Sequence, residues 1–259
     1  MNLDALKTVG MTAAKQGGEI LRARFGKIFR VEKKGAIDLV TEADTECEAA
    51  IIRTIRSVYP DHGILAEESG QNPGKSPCQW IIDPLDGTTN FSHGLPIFSV
   101  SIALAHENQV VLGIVFNPVS GELYSATSGQ GAFLHAQPIR VSTTPAVSES
   151  LLVTGFPYDL KTMIDPLMRR FSTCLQACQG VRRLGSAALD LCYVASGRFD
   201  GFWEQNLKPW DTAAGMLIAR EAGARITDFS GNSFAPDMNR ILATNGLIHS
   251  QMMTLLNQQ

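Results

Sequence analysis

Cysteine is scarce in this chain and has no pairing pattern: there are five in 259 residues, an odd number, and none form a C-x-x-C pair. That argues against a disulfide-stapled framework. Cys174 and Cys178 lie one helical turn apart, a spacing that suits core packing better than metal binding. No apolar run is long enough to span a bilayer. The opening residues, Met1-Asn2-Leu3-Asp4-Ala5-Leu6-Lys7, lack the charge-then-apolar layout of a signal peptide. Together these features predict a protein of the reducing cytoplasm with no membrane contact. Excess charge of one sign is missing too. The formal net charge is −3, which gives no general drive toward nucleic acid, although a local basic patch is compatible with it. His62, His93, His106, His135 and His249 show no metal-ligand spacing. Repeats, low-complexity tracts and long linkers are absent.

What is present suits a globular fold with ample core: 44% of residues are hydrophobic and 18% charged. Leu3 to Phe25 carries apolar side chains at helical spacing and stops at Gly26. Asp44 to Tyr59 reads as a second helix, ended by Pro60. From Phe98 to Arg140 the pattern alternates and predicts an antiparallel sheet, with turns at His106–Gln109 and Pro118–Glu122. From Leu151 onward strands and helices alternate. Strands are expected at Leu151–Val153, Val181–Leu184, Phe199–Trp203, Arg225–Thr227 and Ile241–Thr244. Helices are expected near Pro166–Cys178, at Ala187–Ala195 and at Thr212–Ala222. The order predicts an α+β half, residues 1–145, beside an α/β half, residues 146–259, with a Ser/Thr/Pro-rich seam at Ser142–Ser150.

The stretch with the most chemistry is Asp83-Pro84-Leu85-Asp86-Gly87-Thr88-Thr89-Asn90. It follows Gln79-Trp80-Ile81-Ile82, an apolar run that reads as a buried strand. Two carboxylates at the strand's mouth suit a hard cation such as Mg2+, which takes oxygen ligands. Gly87 and Thr88 stand where a helix or tight turn begins, and backbone N–H groups there favour an anion. The same residues are also ordinary turn formers, because Asp-Pro and Asp-Gly are turn dipeptides. Other acids have bland readings one by one. Glu67 and Glu68 follow the short strand Ile64-Leu65-Ala66, which aims Glu67 at a sheet edge, though a Glu-Glu pair is commonly solvated. Asp44 opens a helix and suits an N-cap. Asp211, in Pro209-Trp210-Asp211-Thr212, is a helix-start acid favoured by the dipole. Arg182-Arg183 reads as a solvent-facing basic pair.

Read together, these stretches resemble the Mg2+-dependent, lithium-sensitive inositol monophosphatases. The matching segments are Asp38-Leu39-Val40-Thr41-Glu42-Ala43-Asp44, Glu67-Glu68, Asp83–Asn90, Gly185-Ser186-Ala187-Ala188, Glu204 and Trp210-Asp211. They keep the family's order and cover about residues 5 to 250. The resemblance implies a layered αβαβα sandwich of the inositol monophosphatase type, and a homodimer. It implies two or three Mg2+ ions. Glu67, Asp83 and the Leu85 carbonyl would hold one, and Asp83, Asp86 and Asp211 a second. Asp44 and Glu67 would hold a third through water, with Lys33 or Lys34 near it and neither assigned. Converging Asp44, Glu67, Asp83, Asp86 and Asp211 would place about −5 of formal charge in one pocket. Each like pair at 4 Å repels by about 4 kcal/mol at an effective dielectric of 20, so such a pocket needs cations.

The implied reaction is hydrolysis of a phosphate monoester by activated water. Asp44, Glu67 and Thr88 are the implied catalytic residues, with Asp44 and Thr88 hydrogen-bonded to each other. Asp86, Gly87, Thr88 and Asp211 would surround the phosphate. Gly185, Ser186, Ala187 and Glu204 would face the alcohol, expected to be inositol. Lys208 stands where family members differ, so the alcohol is left open among inositol, histidinol, fructose bisphosphate and nucleotide esters. A second class of function is an interaction protein of the transcription and ribosomal RNA machinery, a role linked to some bacterial relatives.

Overall fold

The protein was studied as a computed structural model, which describes residues 1–27, 31–33, 39–157 and 163–258. Asp38 and Lys34, both singled out from the sequence, lie outside the described residues. From the N-terminus, α1 (Leu3–Arg24), the short strands β1 (Val31–Lys33) and β2 (Leu39–Thr41), and α2 (Glu42–Val58) lead into β3 (Gly63–Ala66), β4 (Gly70–Asn72) and β5 (Cys78–Asp86). The five-residue helix α3 (Thr88–Ser92) precedes β6 (Ser99–His106), β7 (Gln109–Phe116), β8 (Leu123–Thr127), β9 (Ala132–Leu134) and β10 (Gln137–Ile139). The rest of the chain runs β11 (Leu151–Thr154), α4 (Ile164–Ala177), β12 (Gly180–Arg182), α5 (Ala187–Ala195), β13 (Gly201–Gln205), α6 (Pro209–Glu221), β14 (Arg225–Thr227), β15 (Arg240–Thr244) and α7 (His249–Leu256).

The larger sheet has eight strands in the order β10-β9-β8-β7-β6-β5-β3-β4, and the smaller has five in the order β12-β11-β13-β15-β14. In the larger sheet only the β3–β5 pair is parallel. Four apolar seams define five layers. Leu6, Ala13, Ala14 and Leu21 of α1 and Ile51 and Ile55 of α2 pack on Trp80, Ile102 and Ile114 of the large sheet. The opposite face of that sheet meets α5 and α6 through Ala103, Val115 and Tyr124. The far sides of α5 and α6 cover Phe202 and Ile241 of the small sheet. Beyond it, α4 and α7 close the last seam around Trp203, Leu242 and Met252. The expected αβαβα sandwich is what forms. The sequence supports this layering locally: α5 is apolar almost all round, as a helix covered on both sides must be.

Three local expectations change. Helix α2 starts at Glu42, so Asp44 lies inside the first turn and is not the N-cap. Helix α6 starts at Pro209, three residues before the expected Thr212, because proline is tolerated at the first helical position. Glu67 follows β3 at its end, but β3 is flanked by β4 and β5, so this is not a sheet edge. Helix α3 begins at Thr88, where a helix or tight turn is expected, whereas the hairpin of β1 and β2, strand β4 and helix α7 had no clear sequence signal, being short or weakly patterned.

One fully buried histidine ties α7 to the small sheet. His249 lies 2.9 Å from both Thr227 Oγ1 and Thr244 Oγ1. Thr227 donates its own proton to the Asp228 carbonyl, so His249 Nε2–H donates to Thr227 and Nδ1 accepts from Thr244. Burial holds this ring neutral and pushes its pKa down to about 4. The unfolded chain takes up a proton near pH 6.5 that the folded chain refuses. The stability that His249 contributes should therefore be full above pH 6.5 and fall toward pH 4, by up to about 1.4 kcal/mol per pH unit. Urea denaturation at stepped pH checks this. The acid slope should shrink in His249→Gln, and an unchanged slope would count against it.

Candidate active site

Strand β5 carries the first two carboxylates, and an irregularity in it decides where they point. Asp83 stands opposite Ser101 and Asp86 opposite Ser99, so three steps along β5 match two along β6. In a regular strand residues three apart face opposite sides. The extra residue, at Pro84-Leu85, turns Asp86 to the same face as Asp83. Proline suits this place because it has no N–H to give to the sheet. That shared face looks toward α5 and α6, since Ser101 Oγ donates to the Trp210 carbonyl at 3.2 Å and Ser99 Oγ lies 3.5 Å from Ser186 Oγ.

Four elements converge here. The start of α5 closes on Asp86, whose carboxylate accepts from Ser186 Oγ at 2.5 Å, Ala188 N–H at 2.8 Å and Ala187 N–H at 3.3 Å. Asn90 braces the same junction by donating to the carbonyls of Ile97 and Leu184, both at 2.7 Å. The start of α6 brings Asp211, which accepts from Lys208 N–H at 2.6 Å, so its capping reading also holds. From α2, Asp44 Oδ1 accepts from Thr88 Oγ1 at 3.2 Å. Thr88 Oγ1 also lies 3.1 Å from the Leu85 carbonyl, which keeps a second lone pair. Gly87 links β5 to α3 at φ 104°, a conformation that disfavours any side chain. Glu67 is held through its neighbours: Glu48 on α2, buried beneath, accepts from Glu68 N–H at 2.8 Å and Ser69 N–H at 2.9 Å.

The donors of Ser186 and Ala187 therefore meet Asp86 in this structure. Any alcohol they serve is reached past that carboxylate. Gly185, Asp86, Gly87, Glu67, Glu204 and Asp211 all line one pocket of about 280 Å³. Asp83 lies beneath it, only 2% exposed.

The electrostatics are strained. Burial pushes Asp83 well above the usual carboxylate range, and the charges of Glu67, Asp86 and Asp211 push the same way. Asp86 is raised to about 6 by burial, against the pull of its three donors. Asp211 is raised by burial first, despite the Lys208 N–H bond, with Asp86 and Glu67 adding to it. Among the described residues, no three acidic, imidazole or thiol groups close into a ready-made metal cage. The donor set nonetheless fits a hard divalent cation. It is all oxygen, it includes the second lone pair of the Leu85 carbonyl, and its carboxylates press on one another, with Lys208 offsetting only part of the shift on Asp211. Anionic groups that repel one another stand apart until a cation lies between them.

On the alcohol side Glu204, at the end of β13, is 7% exposed, and burial raises it to about 8, with Asp211 and Asp86 adding to the shift. Its carboxylate sits against Gly155, where an added Cβ would fall 2.1–2.2 Å from its oxygens. Gly155→Ala should therefore displace Glu204 by about an ångström and cut kcat/KM on the native ester by on the order of tenfold to a hundredfold. Steady-state kinetics check this, and an unchanged value would show that Glu204 does not need its observed position. Arg183, taken from the sequence as solvent-facing, is exposed but also lines the pocket.

The sequence names Asn90 within the Asp83–Asn90 stretch but gives it no role, and it does not point out Glu48, Gly155 or Asp190. Two had a signal. Glu48 stands one helical turn after Asp44 on a buried face, and Asp190 is the only acid in an otherwise apolar helix. Gly155 had none, because its role depends on contact with a residue 49 positions away.

Comparison with known proteins places these features in one group. The model of the inositol monophosphatase family matches residues 2–259. The inositol-1-monophosphatase of Synechocystis sp. is 48% identical over 93% of this chain and 84% of its own. The Nus factor SuhB of Haemophilus influenzae is 42% identical over 96% of this chain and 95% of its own. The crystal structure of the extragenic suppressor protein suhB from Bartonella henselae superimposes with a TM-score of 0.95 at 39% identity. It covers 98% of this chain and 99% of that one.

Proposed function

The chain belongs to the inositol monophosphatase family, and from that premise we propose that it hydrolyses inositol monophosphate to inositol and phosphate with Mg2+ as cofactor. The observation that carries the reading is Asp83, a buried carboxylate raised by its burial and by the charges of Glu67, Asp86 and Asp211, three acids that line one pocket. Glu67, Asp83, Asp86, Asp211 and the Leu85 carbonyl would hold two ions, with Asp44 and Glu67 offering a third position. Divalent cations there supply Lewis-acid charge, lowering the pKa of water and offsetting charge on phosphate oxygens.

The chain's own groups do the rest. Asp44 and Thr88 form a hydrogen-bonded pair suited to accept a proton from attacking water through Thr88 Oγ1. The N–H groups of Gly87 and Thr88, at the start of α3, are suited to phosphate oxygens. Ser186, Ala187 and Ala188 fix the orientation of Asp86, so that its position does not depend on ligand. Glu204 would accept from hydroxyls of the alcohol. Residues 1–145 thus supply most of the metal side, and residues 146–259 supply Asp211 and the alcohol contacts.

A homodimer of the cytoplasm, sensitive to lithium, belongs to the same proposal. The five free cysteines support a reducing compartment. The experiment is a panel of phosphate esters ranked by kcat/KM with Mg2+, with and without Li+. Inositol monophosphate should rank above histidinol phosphate, fructose 1,6-bisphosphate and nucleotide monophosphates. If another ester ranks first, the alcohol assignment falls and the chemistry stands. The relative named as a Nus factor motivates a second reading, contact with the transcription machinery. Retention of RNA polymerase subunits by wild type and by a catalytically dead variant alike would support it as a separate role.

A further inference from the structure

Helix α5 carries one carboxylate, Asp190, that the proposed chemistry does not use. Asp190 is 1% exposed, and its Oδ1 is fully enclosed with no hydrogen-bond partner among the described residues. The start of its own helix cannot serve it, because the N–H groups of Ala187 and Ala188 go to Asp86. A buried carboxylate without donors is costly to keep, and stable folds seldom retain one without a use. Asp190 lines the same pocket as Glu204, beside Arg183. No ion pair joins Asp190 to Arg183, although the two charges influence each other. The guanidinium lies instead over Gly185, where an added Cβ would fall 2.7 Å from Nη1.

We propose that Asp190 is a specificity residue, a second hydroxyl acceptor that works with Glu204 to select a leaving alcohol rich in neighbouring hydroxyl groups. This rests on the phosphatase reading above and sharpens its substrate class. With Oδ1 enclosed, Asp190 offers its other oxygen beside the two of Glu204 in one pocket, a set that suits several O–H donors at once. An ammonium group would also satisfy them. Arg183 in the same pocket repels a cation and tolerates a neutral polyol, so the polyol is the better fit.

The test compares kcat/KM for inositol monophosphate with that for p-nitrophenyl phosphate, whose leaving group has no neighbouring hydroxyl, in wild type and two variants with Mg2+. The ratio of the two values should fall roughly ten- to hundredfold in Asp190→Ala, the loss expected when a buried acceptor is removed and its partner hydroxyl is left unpaired. Asp190→Asn keeps one acceptor oxygen and the side chain's shape, so its ratio should fall less. It also keeps the test decisive if the alanine variant fails to fold. Equal losses on both esters would mark Asp190 as structural and overturn the proposal, as would an unchanged ratio. A wild type that prefers a phosphorylated amino alcohol to inositol monophosphate would overturn the polyol assignment while leaving the phosphatase intact. Failure of wild type to cleave either ester would overturn the phosphatase reading itself, and this proposal with it.

Discussion

Asp83→Asn should reduce turnover by on the order of a thousandfold or more, while the metal-free protein melts no lower than wild type. Asp83 is the one carboxylate on which Glu67, Asp86 and Asp211 all act. Removing its charge leaves a neutral amide where the proposed metal site would call on an anionic oxygen ligand. The fold should not suffer, because an amide oxygen can still accept from Leu85 N–H, now 2.9 Å from Oδ1. Three neighbouring repulsions also disappear. In a chain of this size each kcal/mol of relief raises Tm by about 2–4 °C. Asp86→Asn should differ in a telling way. It should lose turnover too, but its amide nitrogen replaces one of the two accepting oxygens and, in either orientation, meets a backbone donor, Ala187 N–H on one side or Ala188 N–H on the other. A buried donor set against donors costs about 1–3 kcal/mol, so this variant should melt below Asp83→Asn. Thermal melts beside phosphate-release assays check both. An Asp83→Asn variant with near-normal kcat, or one that melts far below wild type, would sink this account.

The second large effect is the pH dependence of the metal-free protein. Asp83, Asp86 and Glu204 are all raised above their unfolded values, Asp86 to about 6 and Glu204 to about 8. A raised folded pKa means that the stabilising contribution is present below the unfolded value, near 4, and is lost as pH rises through the folded one. In chelator, the contribution of Asp86 should be lost by about pH 6, and Tm should go on falling from pH 6.5 to about 8 as Glu204 loses its own, at up to about 1.4 kcal/mol per pH unit. His249 acts with the opposite sign and only below pH 6.5, so this window separates the two. Millimolar Mg2+ binds the charged carboxylates and should flatten the curve, with its largest gain at pH 8 and above. A Tm that rises with pH in chelator, or that ignores Mg2+ at pH 8, would show that the carboxylates are balanced by something else.

Much of this arrangement is legible in the sequence because its parts are local. The apolar run before Asp83 gives the strand, and Ala187–Ala195 is a helix to the residue. The order of the acidic segments gives the family. What the sequence hides depends on contact. Asp83 and Asp86 share a face only because β5 takes an extra residue against β6, and no spacing rule for a regular strand predicts that. Gly155 matters through Glu204, and Glu48 through the N–H groups of Glu68 and Ser69. Asp211 shows the limit of reading one residue at a time. It is both a helix cap and a member of the charged cluster, so the bland and the functional readings were never exclusive.

The most direct measurement is the Mg2+ dependence of phosphate release from inositol monophosphate, starting from chelator-treated protein, in wild type and Asp83→Asn. The account predicts no release without added cation, saturable recovery as Mg2+ is added to wild type, and no recovery in the variant. Release that survives chelation, or recovery in Asp83→Asn at the same Mg2+ concentration as in wild type, would contradict it.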